Sequence, residues 1–263
     1  MEETNDKTQN GRVKSGKSSD DSVQILKEVI VTFIVVTLII SILYQGGFLF
    51  SWIRNNLGGI AAVLFVYGAA WRIWRNGKEL SDYGITVHPI SKNIIWSISA
   101  TVAVLGVFLL LYIAYYTIVC GDKAHLLGTL GRDCRRFVGG VRNVEFSVPS
   151  GFWELLLSEF LVISLPEEFF FRGYIQGRLN EVWRARRRIL GVELGWAWLV
   201  QAALFGLGHF LIDFNPLRLA VAVPALAFGY IREGTGSIGA VIIFHMCCNI
   251  FMTIVDHNFF PPL

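Results

Sequence analysis

Residues 161–174 read LVISLPEEFFFRGY, so two carboxylates and a guanidinium interrupt an otherwise apolar, aromatic-rich stretch. The chain around it has 263 residues, 54% of them hydrophobic, 14% aromatic and only 16% charged, which is too apolar for an ordinary soluble domain. A single charge at the centre of a bilayer costs about 2.5 to 3.5 kcal/mol, so Glu167, Glu168 and Arg172 left uncompensated would approach about 10 kcal/mol. They must be paired, hydrated or functional. Glu168 and Arg172 are four apart and share a helical face, whereas Glu167 is rotated by about 100°. Glu168 is thus expected to pair with Arg172, leaving Glu167 free to act as a base. An interior ion network that merely holds helices together is the competing structural reading.

Further apolar runs lie at roughly 29–48, 57–74, 94–119, 152–171, 196–213, 217–231 and 237–255, each near the ~20 residues needed to span a bilayer. The expectation is an all-α polytopic membrane protein of about seven transmembrane helices, or eight if a segment near Phe48 to Trp52 adds one. Pro166 and Pro224 mark kinks around an intramembrane cavity. Residues 1–22 are polar and without aromatics, a flexible tail before a single helical domain at 23–263. Arg72, Arg75, Lys78 and Lys92 precede the third span, and Arg178, Arg184, Arg186, Arg187 and Arg188 follow the fourth. Both clusters read as cytoplasmic with the N-terminus inside, although the connector 120–150, then outside, also carries five Lys or Arg residues. Within it Cys120 and Cys134 either form a disulfide, if it faces an oxidising compartment, or stay as free thiols. The net charge of +3 is small and shows no nucleic-acid footprint.

The fifth span contains LFGLGHF, placing His209 one turn beyond Phe205, with Gly206 and Gly208 permitting close helix approach. The last reads IIFHMCCNIFM, with His245 and Asn249 on one face. A carboxylate, two imidazoles and a carboxamide on three helices suit hydrolysis. Acid and imidazole can activate water while two opposing donors stabilise a tetrahedral oxyanion. Against this stands the plainer reading of satisfied core histidines and an interhelical Asn. Glu154 and Glu159 read as interfacial or as lining an access route. Straight alternating helices put Glu167 and His209 at different depths, so tilt or bending must bring them within about 6 Å, one water bridge.

Three spacings taken together, EExxxR (Glu167, Glu168, Arg172), FxxxH (Phe205, His209) and HxxxN (His245, Asn249), resemble the CAAX protease and bacteriocin-processing family of glutamic intramembrane endopeptidases. The resemblance covers about residues 150–255. It implies that Glu167 and His209 activate water, that His245 and Asn249 form the oxyanion hole, and that Glu168 and Arg172 brace the site. The string PEEFFFRGYIQGRL resembles bacterial members, including myxosortase-like proteins proposed to process C-terminal sorting signals. The implied partners are the lipid bilayer and a membrane-anchored protein or peptide substrate, in a bacterial inner membrane. No cofactor is expected. Zinc held by one carboxylate and two histidines is the nearest rival, but HExxH and cysteine clusters are missing and Asn249 is a poor zinc ligand. A proton-coupled transporter would also place Glu and His within its helices, and a non-catalytic scaffold or immunity protein could keep the same bundle without using Glu167.

Overall fold

The computed structural model describes residues 19–120, 134, 137–138, 144–183 and 187–260. Seven helices account for most of them: α1 (Ser19–Gly46), α2 (Ser51–Arg75), α3 (Ile90–Val119), α4 (residues 152–180), α5 (Trp196–Asp213), α6 (Ala222–Thr235) and α7 (Gly239–Phe259). A short antiparallel hairpin, β1 (Arg187–Ile189) with β2 (Val192–Leu194), joins α4 to α5. The all-α polytopic class expected from the apolar runs is the class observed.

Five helices, α1, α2, α3, α5 and α7, are long and apolar enough to cross a membrane. Their outer surfaces carry the composition of a lipid-facing bundle. In α3 only 11% of the most apolar window is buried, and Ile94, Ile95, Ile98, Val102, Leu110 and Leu111 project outward. Exposing such a surface to water would be unfavourable throughout, whereas hydrocarbon accepts it.

α4 occupies the centre. Every residue from Phe169 to Leu179 is buried, so this half of the helix has no solvent or lipid stripe and is enclosed all round, whereas Trp153, Leu157 and Leu161 in its first turns project outward. Phe169, Phe170, Phe171, Tyr174 and Ile175 form the core with Val29, Phe33 and Val36 of α1, Phe65, Ala69 and Ile73 of α2, and Phe205 of α5. α4 is also irregular, with π-helical stretches at Glu159–Ser164 and Phe169–Gln176 flanking a short α-helical turn at Leu165–Glu168. Pro166 opens that turn, where its missing N–H and ring interrupt regular bonding, and the widened backbone before it absorbs the break.

Several boundaries differ from the sequence reading. No separate helix forms near Phe48 to Trp52; residues 47–50 are a tight connection into α2. Ser19 to Ser22, assigned to the polar tail, make the first turn of α1, and residues 1–18 lie outside those described. The run at 217–231 is a 3₁₀ segment, Pro216–Val221, followed by α6, whose 14 residues reach about 21 Å, short of a full crossing. Pro224 falls in the first turn of α6, where a missing N–H costs little. Cys120 and Cys134 are joined as a disulfide with Cα atoms 5.2 Å apart; the basic residues of that connector, like Arg184 and Arg186, lie outside the described residues.

At one end of the bundle a polar network ties α4 to its neighbours. Glu28 accepts from Arg178 Nη2 at 3.0 Å, Tyr174 Oη at 3.0 Å and Asn76 Nδ2 at 2.9 Å. Glu233 accepts from Gln176 and Asn180, both at 2.7 Å. Tyr83, between α2 and α3, donates to Glu181 at 2.7 Å. Burial, with the carboxylate beside it, pushes the Tyr83 phenol well above its ordinary range.

Candidate active site

α4 and α7 meet at the two adjacent glutamates, which face different surroundings. Glu168 is fully buried and accepts from Arg172 Nη1 at 2.9 Å, the pairing that four-residue spacing predicts. The same oxygen lies 2.7 Å from His245 Nδ1. Because a carboxylate oxygen accepts, Nδ1 carries the proton and the ring is fixed with Nε2 turned away from Glu168. Aromatic faces complete the support: the Arg172 guanidinium lies 4.3 Å from the Phe205 ring and 4.9 Å from Phe228, and His245 stacks on Phe228 at 4.7 Å.

Glu167 points the other way. Its side chain keeps 17% exposure, and Oε2 stands 4.0 Å from His245 Nε2. His209 sits on α5 with Nδ1 3.0 Å from the carbonyl oxygen of Phe205, one turn earlier. A carbonyl can only accept, so Nδ1 bears hydrogen and Nε2 of the neutral ring offers its lone pair. Gly206 and Gly208 make this placement possible. A Cβ on Gly206 would meet the Leu219 carbonyl at 2.9 Å, and one on Gly208 would meet Phe33 at 3.4 Å.

The four side chains singled out by spacing, Glu167, His209, His245 and Asn249, line one cavity of about 490 Å³ together with Phe205. Its remaining wall is mainly apolar, with Val104, Leu105 and Phe108 from α3, Ile163 from α4 and Phe228 from α6. Glu167 and His209 share the cavity with no direct hydrogen bond between them. Cys248 also borders it.

One residue was assigned too little. Glu159 is buried, and Asn249 Nδ2 donates to its Oε2 at 2.8 Å. The series Glu159, Ile163, Glu167 at intervals of four shares one helical face, a signal present in the sequence. Among the described residues no group of three or more His, Cys, Asp or Glu side chains gathers closely enough to hold a metal ion.

Residues 149–251 match the family model described as type II CAAX prenyl endopeptidase Rce1-like. This segment is similar to the Rce1-like family. It runs from the start of α4 through Asn249 and so contains every residue named above except Phe33 of α1 and those of α3. The similarity is to a family of peptide hydrolases, and the five long apolar helices fit a multi-pass membrane protein. No curated protein and no solved structure matches the chain.

Proposed function

We propose that the chain is a glutamic-type intramembrane endopeptidase that cleaves a peptide bond of a membrane-associated protein or peptide without a metal. The observation that carries this reading is the convergence of Glu167, His209, His245 and Asn249 on one otherwise apolar cavity. Glu167, with His209 Nε2 as second acceptor, takes a proton from water as its oxygen adds to the carbonyl carbon. His245, held through Nδ1 by Glu168, turns Nε2 toward the cavity beside Glu167; with hydrogen on Nε2 it receives the oxyanion together with Asn249 Nδ2–H. The proton held by Glu167 then passes to the leaving nitrogen as the C–N bond breaks. Glu159 positions the Asn249 amide.

The substrate is read as carrying either a prenylated end or another C-terminal sorting signal, in a bacterial inner membrane. The Cys120–Cys134 bond supports an outside connector and hence an inside N-terminus. Comparing protein termini in cells with intact chain, Glu167→Gln or His209→Ala tests the chemistry. Processed termini should vanish in both variants, and cleavage by purified protein should persist in strong chelator. Processing that survives both substitutions, or stops with chelator, defeats the proposal.

A further inference from the structure

After α4 the sequence sets Arg184, Arg186, Arg187 and Arg188 close together. Arg188 lies opposite Glu193 across the β1–β2 pair and donates Nε to the Gly191 carbonyl at 3.3 Å. The Arg187 side chain has no hydrogen-bond or ion-pair partner among the described residues. The hairpin itself is held, because Tyr230 Oη of α6 donates to the Leu190 carbonyl at 2.9 Å. Leu190 stands at its tip with φ 45° and 90% exposure. A left-handed leucine is strained, and contact with water would add the cost of bare apolar surface, a cost that hydrocarbon removes. The hairpin therefore belongs at the bilayer boundary, at the end of the bundle where Glu233 and the Glu28 network lie.

Between the hairpin and the start of α5 is a cavity of about 320 Å³, distinct from the one that holds Glu167, lined by Arg187, Ile189, Leu194, Trp196, Trp198 and Leu199. Arg187 is the only charged side chain among the described residues that line it. Trp198 is fixed by Nε1 donation to the Leu226 carbonyl at 2.7 Å, and the mostly exposed Trp196 has the character of an interface anchor. From this cavity Trp196, Leu199, Ala203 and Leu207 run down α5 as an outward apolar stripe at helical spacing. A cation at the head of an apolar track matches a molecule with a phosphate at one end and acyl chains at the other. The planar guanidinium can take two phosphate oxygens at once, and the Arg-rich connector attracts headgroups of net negative charge. We propose that this cavity binds an anionic phospholipid, with its phosphate on Arg187 and an acyl chain along α5. A free phosphate compound would leave the stripe unused, and a zwitterionic phospholipid brings its own cation beside the phosphate.

The test titrates full-length protein in detergent with phosphatidylglycerol and phosphatidylcholine of matched acyl chains, and reads bound lipid by native mass spectrometry. No turnover is involved, so the outcome is independent of the peptidase reading. The intact protein should bind phosphatidylglycerol about fivefold or more tightly than phosphatidylcholine. Arg187→Gln should remove that difference, Arg187→Lys should keep part of it, and Leu199→Ser should weaken both lipids alike. Arg75→Gln, at the end of α2 beside the same network, should leave the preference unchanged. Glycerol 3-phosphate, which carries the charge without the chains, should not displace bound phosphatidylglycerol. Equal affinity for the two lipids, or a preference that survives Arg187→Gln, overturns the proposal. A loss as large in Arg75→Gln assigns the effect to general surface charge and overturns the local site, and displacement by glycerol 3-phosphate assigns it to free anions. Should Arg187→Gln not fold, the lipid preference of the intact protein, set against Arg187→Lys and Arg75→Gln, decides the matter.

Discussion

Neutralising either of two neighbouring glutamates should give opposite outcomes. Glu168→Gln leaves Arg172, fully buried, without its 2.9 Å counter-charge and takes the acceptor from His245 Nδ1. Coulomb attraction at that separation is about 6 kcal/mol at an effective dielectric constant near 20, and breaking a buried pair from one side typically costs about 3 to 5 kcal/mol. By the usual scaling for chains of this size, that lowers Tm by roughly 6 to 20 °C. Glu167→Gln loses only a 4.0 Å contact on a side chain with 17% exposure, which is worth under about 1 kcal/mol, yet it removes the proposed base and should lower turnover by about 10² to 10⁴. A thiol-reactive fluorogenic dye, reporting release of the half-buried Cys247 and Cys248 during a thermal ramp in detergent, reads stability directly. Replacing Glu168 and Arg172 together by Leu and Met should recover part of the lost Tm, since no uncompensated guanidinium remains. The reasoning is refuted if Glu168→Gln melts with the parent protein, or if Glu167→Gln proves the less stable of the two.

Glu159→Ala should lower kcat with KM little changed, because Asn249 loses the acceptor that orients its amide. Glu159→Gln should restore much of the activity, and Glu159→Ala combined with Asn249→Ala should be no worse than Asn249→Ala alone, as measured by single-turnover kinetics. An additive double variant would show that Glu159 acts elsewhere. Gly206→Ala places a methyl 2.9 Å from the Leu219 carbonyl and 3.0 Å from the Ala222 Cβ, so α5 and the 3₁₀ segment must part. A loss of about 1 to 3 kcal/mol is expected in the same thermal assay, and unchanged melting would contradict the close approach described.

What could be read from residues alone was whatever depends on regular spacing. Apolar runs located the seven helices, four-residue intervals paired Glu168 with Arg172, and the polar side chains of α4, α5 and α7 were recognisable as a set. What failed depended on departures from regularity. An apolar run does not reveal that 216–221 is 3₁₀ and α6 short, because lipid and protein neighbours demand the same residue types. The π-helical stretches of α4 follow from no propensity, and the Phe169–Gln176 stretch has no physical account beyond its central, fully packed position. Glu159 was undervalued because a carboxylate near a helix start is normally solvated, and only its partner on α7 shows otherwise. The joining of Cys120 to Cys134 needs spatial proximity that sequence separation does not supply.

The enclosure of α4 has a consequence for how the chain is made. With Glu167, Glu168, Arg172, Gln176 and Arg178 in its interior turns, this segment partitions poorly into hydrocarbon by itself. Lateral release from an insertion channel must therefore await the later helices, above all α7, whose His245 satisfies Glu168. Biogenesis of the C-terminal half is then a concerted event, and a polypeptide stopped between α4 and α7 would present its most polar stretch to lipid and become a target for quality-control proteolysis.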